Sequence, residues 1–183
     1  MNLQDFVAES MNQSVRQVFS TMLGVELGPG EAVEGSGAPE DPAEVLALIG
    51  LAGAWAGAGS ISCSASAACR MCASMLMTEA DAVNADVLDA VAELTNMIIG
   101  NVKTELESQT GPLGLSIPTV VYGRNFQTKT AGAPGWMTLR FRWDADIITV
   151  KLCLAPHDRD PRPTPLSMVE KAATMLEHAV PAG

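Results

Sequence analysis

The residues best placed to do chemistry are Asp89, Glu93, Asn96, Gly100 and Lys103, all within the longest helical pattern of the chain, from about Asn84 to Gln109. With ~100° per residue and Asp89 at zero, Glu93 falls at ~40°, Asn96 at ~−20°, Gly100 at ~20° and Lys103 at ~−40°. Val87, Val91, Leu94, Ile98, Val102 and Leu106 cluster on the opposite side, from ~140° to ~260°. One face therefore goes to a core, and the other carries two acids, an amide, a glycine and a lysine. A solvated helix face is the default reading of an acidic stripe. Gly100 and Asn96 lift this one above it, because a mid-helix glycine costs about 1 kcal/mol against alanine and asparagine is a poor helix former. A missing side chain beside Glu93 and Asn96 lets a partner approach the helix backbone closely. The stripe is thus read as a face that docks a macromolecule and acts on it. No nucleophile or general-base histidine stands nearby in sequence, so triad or covalent chemistry has no support here. A carboxylate and an amide can still orient a water or pair with a cation.

The same Asp-x-x-x-Glu-x-x-Asn spacing recurs in the first helical segment at Asp5, Glu9 and Asn12. Arg16 and Phe19 stand where Gly100 and Lys103 stand in the central copy. Chance spacing accounts for it, and so does a degenerate second site. Cys69-Arg-Met-Cys72 is a lone C-x-x-C. A zinc site needs about four ligands, and Cys63, Cys153, His157 and His178 are scattered, so the sequence points to no metal site. A redox dithiol belongs at a helix N-terminus, whereas Cys69 falls in the second turn of its helix. Packing beneath a sheet is the expected role of this pair.

Several elements must position these residues. Leu3 to Leu23 reads as an amphipathic helix, with Gly24 at its end, and Gly28 to Pro42 as a surface loop rich in Gly, Pro, Ala and Glu. Glu44 to Ala52 and Trp55 to Ser64 read as two strands, Ala65 to Met77 as a short helix, and the long central helix follows. Gly111-Pro112 closes that helix. Leu113 to Tyr122 is β-like, with Ile117, Val120 and Val121, and Arg124 to Thr130 adds a further strand before a turn at Ala131 to Gly135. Met137 to Trp143 alternates apolar and basic residues, and Asp144-Ala-Asp146 turns the chain into Ile147 to Leu154. A Pro-rich loop, Asp158 to Pro165, precedes a last helix, Leu166 to Val180. Helix, hairpin, helix is followed by helix, strands, helix: two related halves. Segregated helices and strands imply an α+β layer fold with a largely antiparallel sheet.

Composition narrows the function classes. A chain of 183 residues is one domain by length, with room for a sizeable core. Its 48% hydrophobic and 4% aromatic residues make that core aliphatic, with ten methionines as adaptable filler. A formal charge of −10 argues against nucleic acid and anionic membrane surfaces as main partners. The longest apolar run, Val45 to Ile61, is broken by glycines and does not suit a bilayer. The N-terminus lacks a basic region before an apolar segment, and four cysteines do not make a disulfide scaffold. A soluble cytoplasmic protein is expected.

Glu93-Leu-Thr-Asn96-Met-Ile-Ile-Gly100-Asn-Val-Lys103-Thr-Glu-Leu106, followed by Leu115-Ser-Ile-Pro118-Thr-Val-Val-Tyr-Gly123, resembles the CheX chemotaxis phosphatases of the CheC/CheX/FliY family. The likeness in element order runs from about residue 3 to about residue 154. It implies a CheC-like fold for the whole chain, 1–183, with long helices packed on the sheet. It also implies hydrolysis of the aspartyl phosphate of a phosphorylated CheY-like response regulator. In that role Asn96 orients the attacking water and Glu93 pairs with the regulator's active-site lysine, while Asp89, Gly100 and Lys103 belong to the partner-binding face. The phosphatase needs no cofactor of its own, because the Mg2+ sits in the partner. Family members carry either two such signatures or one signature and a dimer, and the fuller central copy here implies one site per subunit in a homodimer. The rival expectations are a non-catalytic adaptor of the same fold that binds a response regulator, and a silent sensory or scaffold dimer.

Overall fold

Among the described residues, each α-helix starts where a side chain can satisfy its first free N–H groups. The structure is a computed structural model that describes residues 2–33, 43–124 and 135–156. Helix α1 (Leu3–Val18) is capped by Asn2, whose Oδ1 accepts from the Asp5 N–H at 2.8 Å. Helix α2 (Ala65–Leu76) is capped by Ser64, whose Oγ accepts from Ala67 at 3.0 Å. Helix α3 (Ala85–Thr110) is capped by Asn84, whose Oδ1 accepts from Val87 at 3.0 Å. The first helix widens into a π-helical turn, Phe19–Leu23, and stops at Gly24, whose φ of +65° favours glycine.

Among the described residues, seven strands form one sheet: β1 (Glu31–Ala32), β2 (Val45–Gly53), β3 (Trp55–Cys63), β4 (Leu113–Leu115), β5 (Thr119–Tyr122), β6 (Met137–Trp143) and β7 (Asp146–Pro156). Their order is β1-β6-β7-β3-β2-β4, with β5 also on β2, and every pairing is antiparallel. Alternate residues, among them Val45, Ala47, Ile49, Ile61, Phe141 and Val150, join the buried faces of the helices in one core. Helices α1 and α2 both pack against α3. This is the α+β layer arrangement that the segregated pattern implies.

The two related halves are interlocked. Each half runs helix, edge strand, hairpin, and the second strands of the hairpins, β3 and β7, pair at the sheet centre. The strand after α1 crosses to the second hairpin, Glu31 opposite Arg140, while the strand after α3 crosses to the first, Val121 opposite Leu46. Neither hairpin finds its outer neighbour within its own half.

The structure departs from the sequence expectation at two described places. The expected loop after Gly28 contains the two-residue strand β1, set by register against Leu139 and Arg140; so short a strand has no periodic signal of its own. The β-like stretch from Leu113 to Tyr122 is two strands, broken at Ser116-Ile117-Pro118, where Pro118 has no N–H to give to a ladder. The strand proposed for Arg124 to Thr130, the Pro-rich loop, the last helix, His157 and His178 lie outside the described residues, apart from Arg124 itself. Among the described residues no helix is long and apolar enough to cross a membrane.

Candidate functional site

Helix α3 divides as its periodicity requires. Val87, Val91, Leu94, Ile98, Val102 and Leu106 are all buried. Burying each such side chain contributes about 1.5–3 kcal/mol, which comfortably offsets the cost of about 1 kcal/mol for a glycine at position 100. On the other face Asp89 and Glu93 are exposed, and Asn96, Gly100 and Lys103 are half-buried. The structure thus brings all five predicted residues onto one accessible face. Among the described residues, neither Glu93 nor Asn96 spends its side chain on a hydrogen bond or an ion pair.

Gly100 is not demanded by packing. A Cβ placed there meets only Leu115 Cδ1, at the ordinary contact distance of 3.8 Å. Lys103 has a structural partner: its Nζ lies 2.9 Å from Glu107 Oε1, the oxygen that also accepts from the Leu113 N–H at 2.9 Å. The Leu113 hydrogen bond, with Lys103 beside it, holds the Glu107 carboxyl below its ordinary value of 4.5. Glu107 was not legible as a site-supporting residue from spacing alone, although the i,i+4 Lys-Glu pair was there to be seen.

The N-terminal stripe meets a different fate. Asp5 and Glu9 are exposed, but Asn12 Oδ1 accepts a hydrogen bond from Gly30 N–H at 3.1 Å. Arg16 Nε donates to the Leu27 carbonyl at 3.0 Å, and Ser20 Oγ donates to Glu26 at 2.5 Å. The chain's own segment 24–30 therefore binds to this face, and the amide equivalent to Asn96 is used. Two concavities flank that segment, of about 760 and 440 Å3, and no α3 residue lines either. The α3 stripe lies along the outer side of a helix and lines neither concavity, an arrangement that suits a macromolecule better than an enclosed small ligand.

All four cysteines are free and buried. Burial pushes the Cys63 thiol up to about 12, with Asp146 adding to the rise, and raises Cys69, Cys72 and Cys153 as well. Cys69 and Cys72 belong to the buried face of α2, the packing role expected for them.

Comparison with known proteins identifies the family of the chain. The family model described as chemotaxis phosphatase CheX matches residues 45–141, which include all of α3 and exclude the N-terminal stripe. No curated protein matches the chain significantly. The chain is similar in structure to the chemotaxis protein CheX from Vibrio vulnificus, with 25% identity, a TM-score of 0.74, and coverage of 82% of this chain and 99% of that one. It is similar to a CheC-like chemotactic protein from Shewanella oneidensis MR-1, with 26% identity, a TM-score of 0.70, and coverage of 85% and 100%. It shares its fold with a chain of the CheX–CheY–BeF3–Mg2+ complex from Borrelia burgdorferi, with 24% identity, a TM-score of 0.64, and coverage of 80% and 96%. With a family match over more than half of its 183 residues and a sheet and helix order shared with these structures, the chain belongs to the chemotaxis phosphatase CheX family.

Proposed function

We propose that this protein hydrolyses the aspartyl phosphate of a CheY-type response regulator, with Asn96 and Glu93 as its catalytic residues. The observation that carries the reading is the unengaged carboxylate and amide one turn apart on the accessible face of α3, where the α1 copy of the amide is already bound to Gly30. Phosphoryl transfer asks mostly for positioning and charge stabilisation. The Asn96 amide has both a donor and an acceptor, and can hold a water in line with phosphorus. Glu93 pairs with the regulator's lysine, which fixes the docked orientation. The regulator brings phosphoaspartate, lysine and Mg2+, so the phosphatase supplies no cofactor of its own. Gly100 lets the regulator's loops pass close to the helix, and Asp89 lies on the same face. Lys103 contributes to that face through its aliphatic stem, its ammonium being held by Glu107. The Borrelia burgdorferi complex pairs a CheX with CheY, which supports a receiver as the partner. One site per subunit in a cytoplasmic homodimer completes the proposal.

The test is phosphate release from a phosphorylated CheY-like receiver. Wild-type protein is expected to accelerate it. Asn96→Ala should lose about a hundredfold of that acceleration while still binding the receiver, and Gly100→Leu should keep the fold and lose binding. An unchanged decay rate with wild-type protein across several cognate receivers overturns the enzyme reading, and binding without hydrolysis identifies an adaptor.

A further inference from the structure

The sheet buries residues on both of its faces, and the described helices account for one. Val45, Ala47, Ile49 and Val150 join the helices in the core, while the alternate residues of β2, β3 and β7 point the other way. The register sets Leu46 beside Ser62 and Thr149 on that second face, Ser60 between Leu48 and Lys151, and Cys153 beside Ala58. Leu46 is 5% exposed, Ser60 4% and Cys153 4%, yet neither Leu46 nor Cys153 belongs to the core cluster. Strand side chains stand roughly perpendicular to a sheet, so on an uncovered face they stay open to water. Two residues of the same face mark where the burial stops: Val121, opposite Leu46, and Ala52 are exposed. The sequence of β2 agrees. Val45-Leu46-Ala47-Leu48-Ile49 is apolar without alternation, the pattern of a strand buried on both faces.

One stretch outside the described residues has the chemistry to cover this face. In 157–183, Leu166, Val169, Ala173, Leu176 and Val180 recur at spacings of three and four, and Glu170, Thr174 and His178 fall on the other side. Such a stripe needs an apolar surface to bury it, and the core face of the sheet is already filled by α1, α2 and α3. The internal connections 34–42 and 125–134 are rich in Gly, Pro, Ala and polar residues, with Phe126 as their one large apolar side chain, and offer no stripe. Pro156 pairs with Trp55 at one end of the second face, so the chain leaves β7 beside it. The Pro-rich stretch after it can reach ~30 Å, and a helix over 166–180 is ~22 Å long. That length spans the ~14 Å along the strands from the level of Cys153 to that of Leu46.

We infer that the second face of the sheet is the seat of the chain's own C-terminal segment, with the stripe from Leu166 to Val180 laid on Leu46, Ser60 and Cys153. The small residues Gly50, Ala58 and Ser60 form a shallow floor that lets a helix approach closely, and Leu46 and Leu48 supply the apolar contact. The segment then lies on the side of the sheet away from α3 and leaves Glu93 and Asn96 accessible.

Cys153 makes the cover measurable. The full chain is treated with a maleimide, and its four thiols are followed by peptide mass spectrometry. In wild type Cys153 is expected to react as slowly as Cys63, Cys69 and Cys72. The double variant Val169→Asp/Leu176→Asp is expected to speed Cys153 about tenfold or more with the other three unchanged. Ser167→Asp/Thr174→Asp, on the polar side of the stripe, is expected to leave all four slow. A fast Cys153 in wild type, or one still protected in Val169→Asp/Leu176→Asp, overturns the inference. A second measurement places a benzoylphenylalanine photo-crosslinker at position 48 of the otherwise unchanged chain. Its expected product joins a peptide from 157–183 of the same molecule. A product with another stretch of the chain, a product with a second copy in an isotope-mixed sample, or no product overturns the inference. Where all four thiols of the aspartate variant react together, the variant has unfolded and the crosslink decides.

Discussion

Asn12 and Asn96 occupy matched positions in two copies of one spacing, and their surroundings give them opposite duties. Asn12 accepts from the Gly30 N–H, a bond that contributes about 0.5–1.5 kcal/mol; Asn96 spends nothing on its own chain among the described residues. Asn12→Ala is therefore expected to lower stability by about 1 kcal/mol in urea unfolding and to leave turnover unchanged. Asn96→Ala should do the reverse. A halved rate in Asn12→Ala would instead revive a two-site enzyme. Spacing alone could not separate these residues, because the Gly30 contact comes from eighteen positions away in the chain and segment 24–30 has no helical or strand periodicity. The same limit hid the break between β4 and β5: the apolar residues from Leu113 to Val121 suggest one strand, and only Pro118 hints that the ladder is broken there.

At the scale of elements, the hinge between α3 and β4 is held by Glu107, which joins Lys103 to the Leu113 N–H. This bridge holds the start of the return strand, whose Leu115 lies beside Gly100. The Glu107 carboxyl is held below its ordinary value of 4.5, so its stabilisation is fully present above that value. It is lost as pH falls through the lower value of the folded state. Glu107→Gln should accordingly be less stable than wild type at neutral pH, with the difference shrinking below about pH 4.5. Urea unfolding of both proteins from pH 7 to pH 3 checks the sign; a gap that widens in acid would contradict it. The described helices were legible in the sequence to within a residue or two, because Asn2, Ser64 and Asn84 cap them and Gly24 and Gly111 end two of them. The strand β1 was not, since two residues carry no period.

At the scale of the molecule, the proposed catalytic face depends on how closely α3 lies on the sheet. Gly59 of β3 sets that distance: a Cβ there would stand 2.7 Å from Ile99 Cδ1 and 2.9 Å from Ile99 Cγ1. Gly59→Val should push α3 outward, costing about 1–3 kcal/mol by overpacking. It should also lower turnover, because the shift moves Asn96 relative to the return strand. Thermal unfolding and phosphate release measured on the same preparation test this, and a variant with full activity and unchanged Tm would show that the layer spacing is set elsewhere. The interlocked halves make such a change global. Each hairpin takes its outer strand from the other half, so no part of the sheet can yield by itself.

The sequence by itself determined which face of α3 is buried, because period and hydrophobicity act locally along the helix. It also determined that Glu93, Asn96 and Gly100 share the opposite face, and its motif carried the family resemblance. Only the tertiary structure decided which of two stripes with the same Asp-x-x-x-Glu-x-x-Asn spacing stays open. That choice depends on segment 24–30 folding back on α1 while the strand after α3 leaves Asn96 uncovered, and contacts between segments distant in the chain leave no periodic mark in a sequence.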